Sequence, residues 1–382
     1  MQVDHLSWTA DAGWSGACQT FSDADLILFF GDRHAMTCGA RFRELRDFYP
    51  NAHIVGGTTG GQIRNADVSD HEIFATALRF AHSKVRVVTQ TIAGPHESAK
   101  VGELLGAGLA GDDLAGVFIL SDGLSVNGSH LVASLARCLP DNVPLSGGLT
   151  GDGDRFEKTM VAADCEPCSN IVAAVGFYGR KLNMGIGVSN GWDVFGPRRR
   201  ITRSEGGVLF ELDGKPALDL YERYLGEEDA QGLPGTGLLF PIQICDPERP
   251  EHRIVRTILA INREDGSMTF AGDMPEGWTA QLMRGDFDRL EASAGDAGRQ
   301  AASHIEAAHV EAKLAILVSC VGRRWLLGQR ITNELDAVEA GLGGGVDCLG
   351  FYSYGEIAPH PISGVCELHN QTMSVTVISE AA

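Results

Sequence analysis

The chain has 382 residues, 44% hydrophobic and 21% charged. That is ordinary globular usage and enough chain for two or three domains. The net charge is −19, and the only basic cluster, Arg198-Arg199-Arg200 with Arg203, runs straight into Glu205. This argues against a phosphate-reading surface, so nucleic acid is not an expected partner and the arginines read as a solvated connector. The start, Met-Gln-Val-Asp-His, lacks the basic and apolar regions of a secretory signal. Apolar runs such as 26–30 and 117–120 are far shorter than the ~20 residues of a membrane span. Nine cysteines, an odd number scattered mostly through apolar stretches, fit reduced thiols rather than a disulfide framework. The expectation is a cytoplasmic protein without membrane insertion.

Three times along the chain an apolar run reads as a strand covered on both faces: residues 24–32 (ADLILFFGD), 114–123 (LAGVFILSDG) and 314–323 (LAILVSCVGR). After each comes a helical pattern. In residues 39–48, Phe42, Leu45 and Phe48 share a side. In 129–139, Leu131, Leu135 and Leu139 do, with Ser129 as a cap. In 331–342, Leu335, Val338 and Leu342 do, with Thr332 as N-cap and Gly343 as a stop. A Gly/Thr/Ser-rich turn then follows a short apolar segment, at 55–61 (VGGTTGG), 146–153 (SGGLTGDG) and 349–356 (LGFYSYGE). Further strands follow at 73–80, 171–178 and 373–378. The repeat is therefore strand–helix–strand–turn–strand, about 60 residues long. Its first two strands should be parallel, joined by a right-handed crossover, and its third should return antiparallel. The fold class is α/β of the mixed, α+β kind: two domains of mixed sheets flanked by helices.

Between the second and third repeats the pattern changes. Residues 182–196 and 208–212 read as strands, Asp213-Gly214 as a turn, and 216–225 as a helix opened by Pro216 and closed by Gly226. Strands follow at 238–244, 253–262 and 267–270, with a turn at 264–266. An Ala-rich helix over 287–314 leads into the third repeat. The domain division falls near Lys215, giving 1–215 and 216–382.

The glycines of the three turns have close packing and positive φ as their default role. No turn continues as a P-loop or a dinucleotide fingerprint. Their recurrence nevertheless points to a shared pocket rim, where exposed backbone N–H groups hold an anionic or polar ligand. The candidate ligand residues are Gly57, Thr58, Gly148, Thr150, Arg323, Tyr354, Glu356 and Asn370. Asp152-Gly153-Asp154 lacks the rest of a calcium loop and reads as a solvated turn. Cys165-Glu-Pro-Cys168 has no second pair for zinc and sits between strands, so it reads as a plain loop. No G-x-S-x-G is present. Cys320, beside Arg323 and Arg324, is the one candidate for an activated thiol, against the plainer role of a buried strand-end cysteine. Residues 355–372 are dense in ligand-capable groups, and His369 is a candidate metal ligand there, against a hydrogen-bonded structural role.

Several of these segments resemble the FIST family of intracellular ligand-sensing proteins. They are GGLTGDGDRF (147–156), TRSEGGVLFELDGKPALDLYERYLG (202–226), LPGTGLLFPIQI (233–244), SCVGRRWLLGQR (319–330) and FYSYGEIAP with CELHNQTM (351–359 and 366–373). The similarity runs over most of the chain in family order. It implies a FIST N-terminal and a FIST C-terminal domain and a cytosolic signal-input module without catalysis. The chain is most similar to the stand-alone NosP-like branch. That likeness implies haem b as cofactor, nitric oxide as signal, His369 as haem ligand through the CELHNQTM motif, and a histidine kinase or cyclic-di-GMP enzyme as partner. The sequence carries no kinase, receiver, GGDEF or methyl-accepting segment, so output is expected from a partner in a two-component system; a homodimer is one assembly open to it. The alternatives are a sensor of amino acids or small organic acids without haem, a thiol-dependent enzyme using Cys320, and a ligand-free scaffold.

Overall fold

The computed structural model describes residues 1–16 and 20–381. The three apolar runs are strands, Leu26–Gly31, Leu114–Ser121 and Leu314–Cys320, and each builds the same unit. A helix follows each, Ala40–Phe48, Gly128–Cys138 and Ile331–Leu342. A parallel second strand comes next: His53–Thr58, Leu145–Leu149 or Asp347–Ser353. The third strand, Ile73–Arg79, Ile171–Tyr178 or Met373–Glu380, returns antiparallel beside the first. Order and orientation are as the sequence predicts.

Alternation along these strands explains why they are apolar throughout. Leu26, Leu28 and Phe30 meet Phe118, Leu120, Ile316 and Val318 in one core shared by all three sheets. Ile27 and Phe29 point the other way, under the helix Ala40–Phe48. Ile119 and Leu317 likewise turn outward towards the helices of their own units. Phe30 and Phe351 stack at 4.5 Å across the shared core.

Each unit is also opened by a strand that pairs with its own third strand: Gln2–Thr9, Lys84–Thr91 and Leu182–Ser189, the last two at a sheet edge. The excursion between second and third strands crosses to a neighbour. Gln62–Arg64, from the first unit, joins the third unit's Asp347–Ser353. Gly355–Pro359, from the third, joins the second unit's Leu145–Leu149. Val161–Ala163, from the second, joins the first unit's His53–Thr58. A closed ring of backbone bonds ties the three turns at matching positions. Gly60 N–H donates to the Tyr352 carbonyl at 2.9 Å, Gly151 N–H to Thr58 at 3.1 Å, and Tyr354 N–H to Leu149 at 3.2 Å. The arrangement is a pseudo-threefold exchange.

Residues 190–286 interrupt the third unit between its edge strand and the helix Phe287–Ala307. They form a separate antiparallel sheet, from Asp193–Glu205 to Thr279–Arg284. Its own core holds Ile201, Leu209, Tyr221, Ile242, Ile244 and Phe270. The division expected near Lys215 falls inside this sheet, within the short strand Lys215–Pro216 that pairs with Val208–Leu212. The Arg198–Arg200 run is not a connector. It lies in the strand Asp193–Glu205, where Arg199 pairs with Asp213 at 3.1 Å. The helix expected over 287–314 stops at Ala307. Among the described residues, no helix is long and apolar enough to cross a membrane.

Candidate functional site

The Gly-rich turns sit at the ring where the three units meet, and most of the residues expected to rim a pocket are packed into it. A Cβ on Gly57 would stand 2.5 Å from Thr150 Cγ2, and one on Gly148 would stand 2.7 Å from Val318 Cγ1. Thr58 Oγ1 accepts from the Met160 amide at 3.0 Å, and Thr150 Oγ1 donates to the Ser121 carbonyl at 3.0 Å. Tyr354 donates to Asp152 and to the Gly153 carbonyl, and its ring stacks on Phe156 at 4.5 Å. Asp152, expected in a solvated turn, is buried. It also accepts from the amides of Glu157 and Lys158 and pairs with Arg33 at 3.1 Å, so it organises the loop after the turn. Burial alone would raise its carboxyl, but these bonds prevail and hold it below its ordinary value.

Arg323 is completely buried. It pairs with Glu334 at 2.7 Å and donates to the carbonyls of Asn190 and Leu290. Its charge is therefore satisfied within the fold, not presented to a ligand. Cys320 lies at the end of its strand, and burial, reinforced by the charge of Glu356, pushes its thiol up. That is the direction opposite to an activated nucleophile. Glu356 is equally buried and accepts from Ser353 Oγ at 2.6 Å and from Thr372 N and Oγ1 at 3.1 and 2.8 Å. Burial outweighs these bonds and raises its carboxyl to about 7. Asn370 is buried with both amide atoms unpartnered, but it does not line the cleft described below.

His369 donates from Nε2 to the Ala358 carbonyl at 3.0 Å. Burial lowers its pKa to about 3, with Arg256 and His360 adding to the shift, so the ring is neutral near pH 7. The cavity beside it, which His360 also lines, measures about 200 Å³. Cofactor pockets usually hold ≈ 300–1,000 Å³. The cavity at His369 is thus smaller than that range, and the ring's Nε2 is already held by the Ala358 carbonyl.

A far larger cleft, about 1090 Å³, opens where the inserted sheet meets the second unit. One wall is the helix Gly128–Cys138 and the segment after it, including His130, Arg137, Leu139 and Val143. A second is the third unit's hairpin, with Val365, Glu367 and Leu368. The third is the inserted sheet, with Ile254, Arg256, Asp273 and Trp278. Asp273 bridges the parts. It accepts from Asn127 Nδ2 at 2.9 Å and pairs with His130 at 3.1 Å.

Arg256 is only 4% exposed. Its guanidinium donates to the carbonyls of Asp273, Val255 and Leu368 at 3.1, 3.3 and 3.0 Å. Among the described residues it forms no ion pair. Burial lowers its pKa to about 10, against the more distant charges of Glu367 and Asp273, so it stays cationic near pH 7. Beside it, His252 Nε2 donates to both oxygens of Glu367 at 3.0 and 3.1 Å. The other nitrogen of His252, Nδ1, is buried without a partner among the described residues. The His252 ring stands edge-on to Trp278 and to His360, at centroid distances of 5.4 and 4.9 Å. None of these cleft residues except the 355–372 stretch stood out in the sequence. The one available signal was Arg256, a second cation that closes the short strand Arg253–Arg256 ahead of the apolar Ile258-Leu259-Ala260.

The fold and the cleft define a mixed α/β protein in two packed parts, with a ligand-sized opening at their seam. The FIST N domain model matches residues 25–215 and the FIST C domain model residues 217–359, and the chain belongs to the FIST family. FIST domains are signalling sensor domains, which supports a sensor role here. An uncharacterized protein of Mycobacterium tuberculosis is 27% identical over 268 residues, 68% of this chain and 67% of its own. An uncharacterized protein of Methanocaldococcus jannaschii is 34% identical over 89 residues, which span 22% of this chain and only 15% of that protein.

Proposed function

We propose that the cleft is the ligand site of a signalling sensor, and that its ligand is an amino acid or small organic acid whose carboxylate pairs with Arg256. The supporting observation is the buried guanidinium in the cleft wall, held by carbonyls and, among the described residues, by no ion pair. An uncompensated buried charge is costly. A carboxylate entering the cleft supplies a charge-assisted partner, and Trp278, Leu139 and Val143 offer apolar contact. Because the cleft lies between the inserted sheet and the second unit, a ligand that favours one arrangement of these parts shifts their equilibrium. Output then passes to a partner, a histidine kinase or a cyclic-di-GMP enzyme, as the family resemblance suggests.

A thermal-shift screen with amino acids, two- to six-carbon carboxylic acids and haem tests this. A ligand at 100 times its Kd stabilises by about 2.7 kcal/mol. The Arg256→Gln variant should bind the responding acid at least ~10-fold more weakly, the loss expected for a charged hydrogen bond. If no acid stabilises the protein, or if Arg256→Gln binds as well as the parent, the reading is wrong. A Soret band that responds to nitric oxide, without any carboxylate response, would reassign the ligand to haem b.

A further inference from the structure

Beside Arg256, side chains from two separate parts of the fold meet with metal-binding chemistry. His252 precedes the inserted strand Arg253–Arg256. His360 follows the strand Gly355–Pro359, and Glu367 lies in its hairpin partner Cys366–His369. One donor atom from each lies within 4.8 Å of the others. We propose that His252, His360 and Glu367 form a binding site for a divalent first-row transition-metal ion of the zinc class, pinning the inserted sheet to the third unit's hairpin at the mouth of the cleft.

Four observations carry this. First, the donor set is two imidazoles and one carboxylate, which suits zinc, iron(II) or cobalt(II) rather than the all-oxygen shells of calcium and magnesium. Second, the spacing is close to what an ion needs. Donors about 2.1 Å from a tetrahedral ion stand roughly 3.4 Å apart; His252 and Glu367 are at 3.0 Å, and with all three donors within 4.8 Å a small inward shift of His360 closes the set. Third, the cluster is short of partners. Among the described residues the ion pair of Glu367 is with His252 alone, and no hydrogen bond fixes the proton on His252 Nδ1, so the ring can carry its proton there and turn a bare Nε2 to an ion. Fourth, His360 is free to adjust. Its bonds to the Arg253 carbonyl and to the amides of Ile362 and Ser363 are all 3.3 Å, long and weak.

Three protein ligands leave a tetrahedral ion with one open position. His252 and Glu367 line the cleft, so that position is available to an oxygen donor entering there. The site does not depend on the carboxylate reading of Arg256. It is tested with metal alone, so one proposal can fail while the other stands.

The test uses tag-free, chelator-stripped full-length protein. Zinc is titrated by calorimetry and cobalt(II) by visible absorption. One equivalent should bind, and cobalt should give the d–d bands of a low-coordinate nitrogen–oxygen site. His252→Ala, His360→Ala and Glu367→Gln should each weaken binding by at least ~100-fold, since even outer-shell changes cost 10–100-fold. His34→Ala and His71→Ala, exposed and remote, should leave it unchanged. Failure of the parent protein to bind one equivalent overturns the proposal whatever the variants do. So does equal affinity in Glu367→Gln, which keeps the side chain's shape and is checked for folding by circular dichroism.

Discussion

Replacing Glu356 with glutamine should change how stability depends on pH, and by an amount the structure sets. The carboxyl is fully buried, and its pKa rises from 4.5 to about 7. The native state therefore holds this proton more tightly than the unfolded chain does. The stability that follows is present in full below about pH 4.5 and is lost as the pH rises through 7. At about 1.4 kcal/mol per unit, the whole loss is about 3 kcal/mol, most of it between pH 5 and 8. Glutamine cannot ionise, and the fold accepts it at this place. Gln62 occupies the matching position of the first unit and accepts from Thr59 Oγ1 at 2.8 Å, as Glu356 accepts from Ser353. Urea unfolding of parent and Glu356→Gln at pH 5, 6, 7 and 8 gives the difference free of any constant offset. His369, lowered to about 3, acts with the opposite sign, its stability being lost as the pH falls from about 6.5, but it does so in both proteins and cancels. The variant should gain about 2–3 kcal/mol on the parent between pH 5 and 8. A difference that stays within ~0.5 kcal/mol across that range would refute the reasoning.

The junction makes a second prediction. Gly57→Ala and Gly148→Ala should each destabilise by ~1–3 kcal/mol in chemical denaturation, because the added methyl meets Thr150 or Val318 well inside contact distance. Neutral effects would mean that the turns have room to spare. Cys320, buried and with its thiol pushed up, should resist iodoacetamide at neutral pH in the native protein and react after unfolding. Rapid native labelling, followed by peptide mapping, would reopen the thiol-enzyme reading.

The repeat was legible because its strands are covered on both faces and its helices carry one apolar side. Ile331–Leu342 and Ser267–Phe270 appear with the bounds read from the sequence. Helix caps were less legible. Asn127, not Ser129, caps the second helix by accepting from the His130 amide, since both residue types cap equally well. The edge strand Lys84–Thr91 was missed because alternate side chains along it are exposed and much of it is polar. The exchange of hairpins between units leaves no periodicity to read, because it is a matter of which sheet accepts a short strand. The cleft was hidden for a related reason. Its walls come from residues near 130–145, 244–278 and 359–368, and only tertiary packing brings Arg256, His252 and Glu367 together. The turns misled because glycine serves a tight junction and a ligand rim through the same freedom of backbone, and only burial separates the two.

The hairpin exchange bears on how this molecule can be divided. The first 215 residues, taken alone, would keep the strand Leu182–Ser189 without its partner Met373–Glu380, and Leu145–Leu149 without Gly355–Pro359. The remainder would lack both Gln62–Arg64 and Leu182–Ser189 along its sheet. Each fragment would expose open strand edges shaped for the other. Two such pieces would behave as complementing fragments that reassemble on mixing, not as autonomous modules. For the same reason the two family-defined halves cannot be traded separately between proteins without new edges to cover.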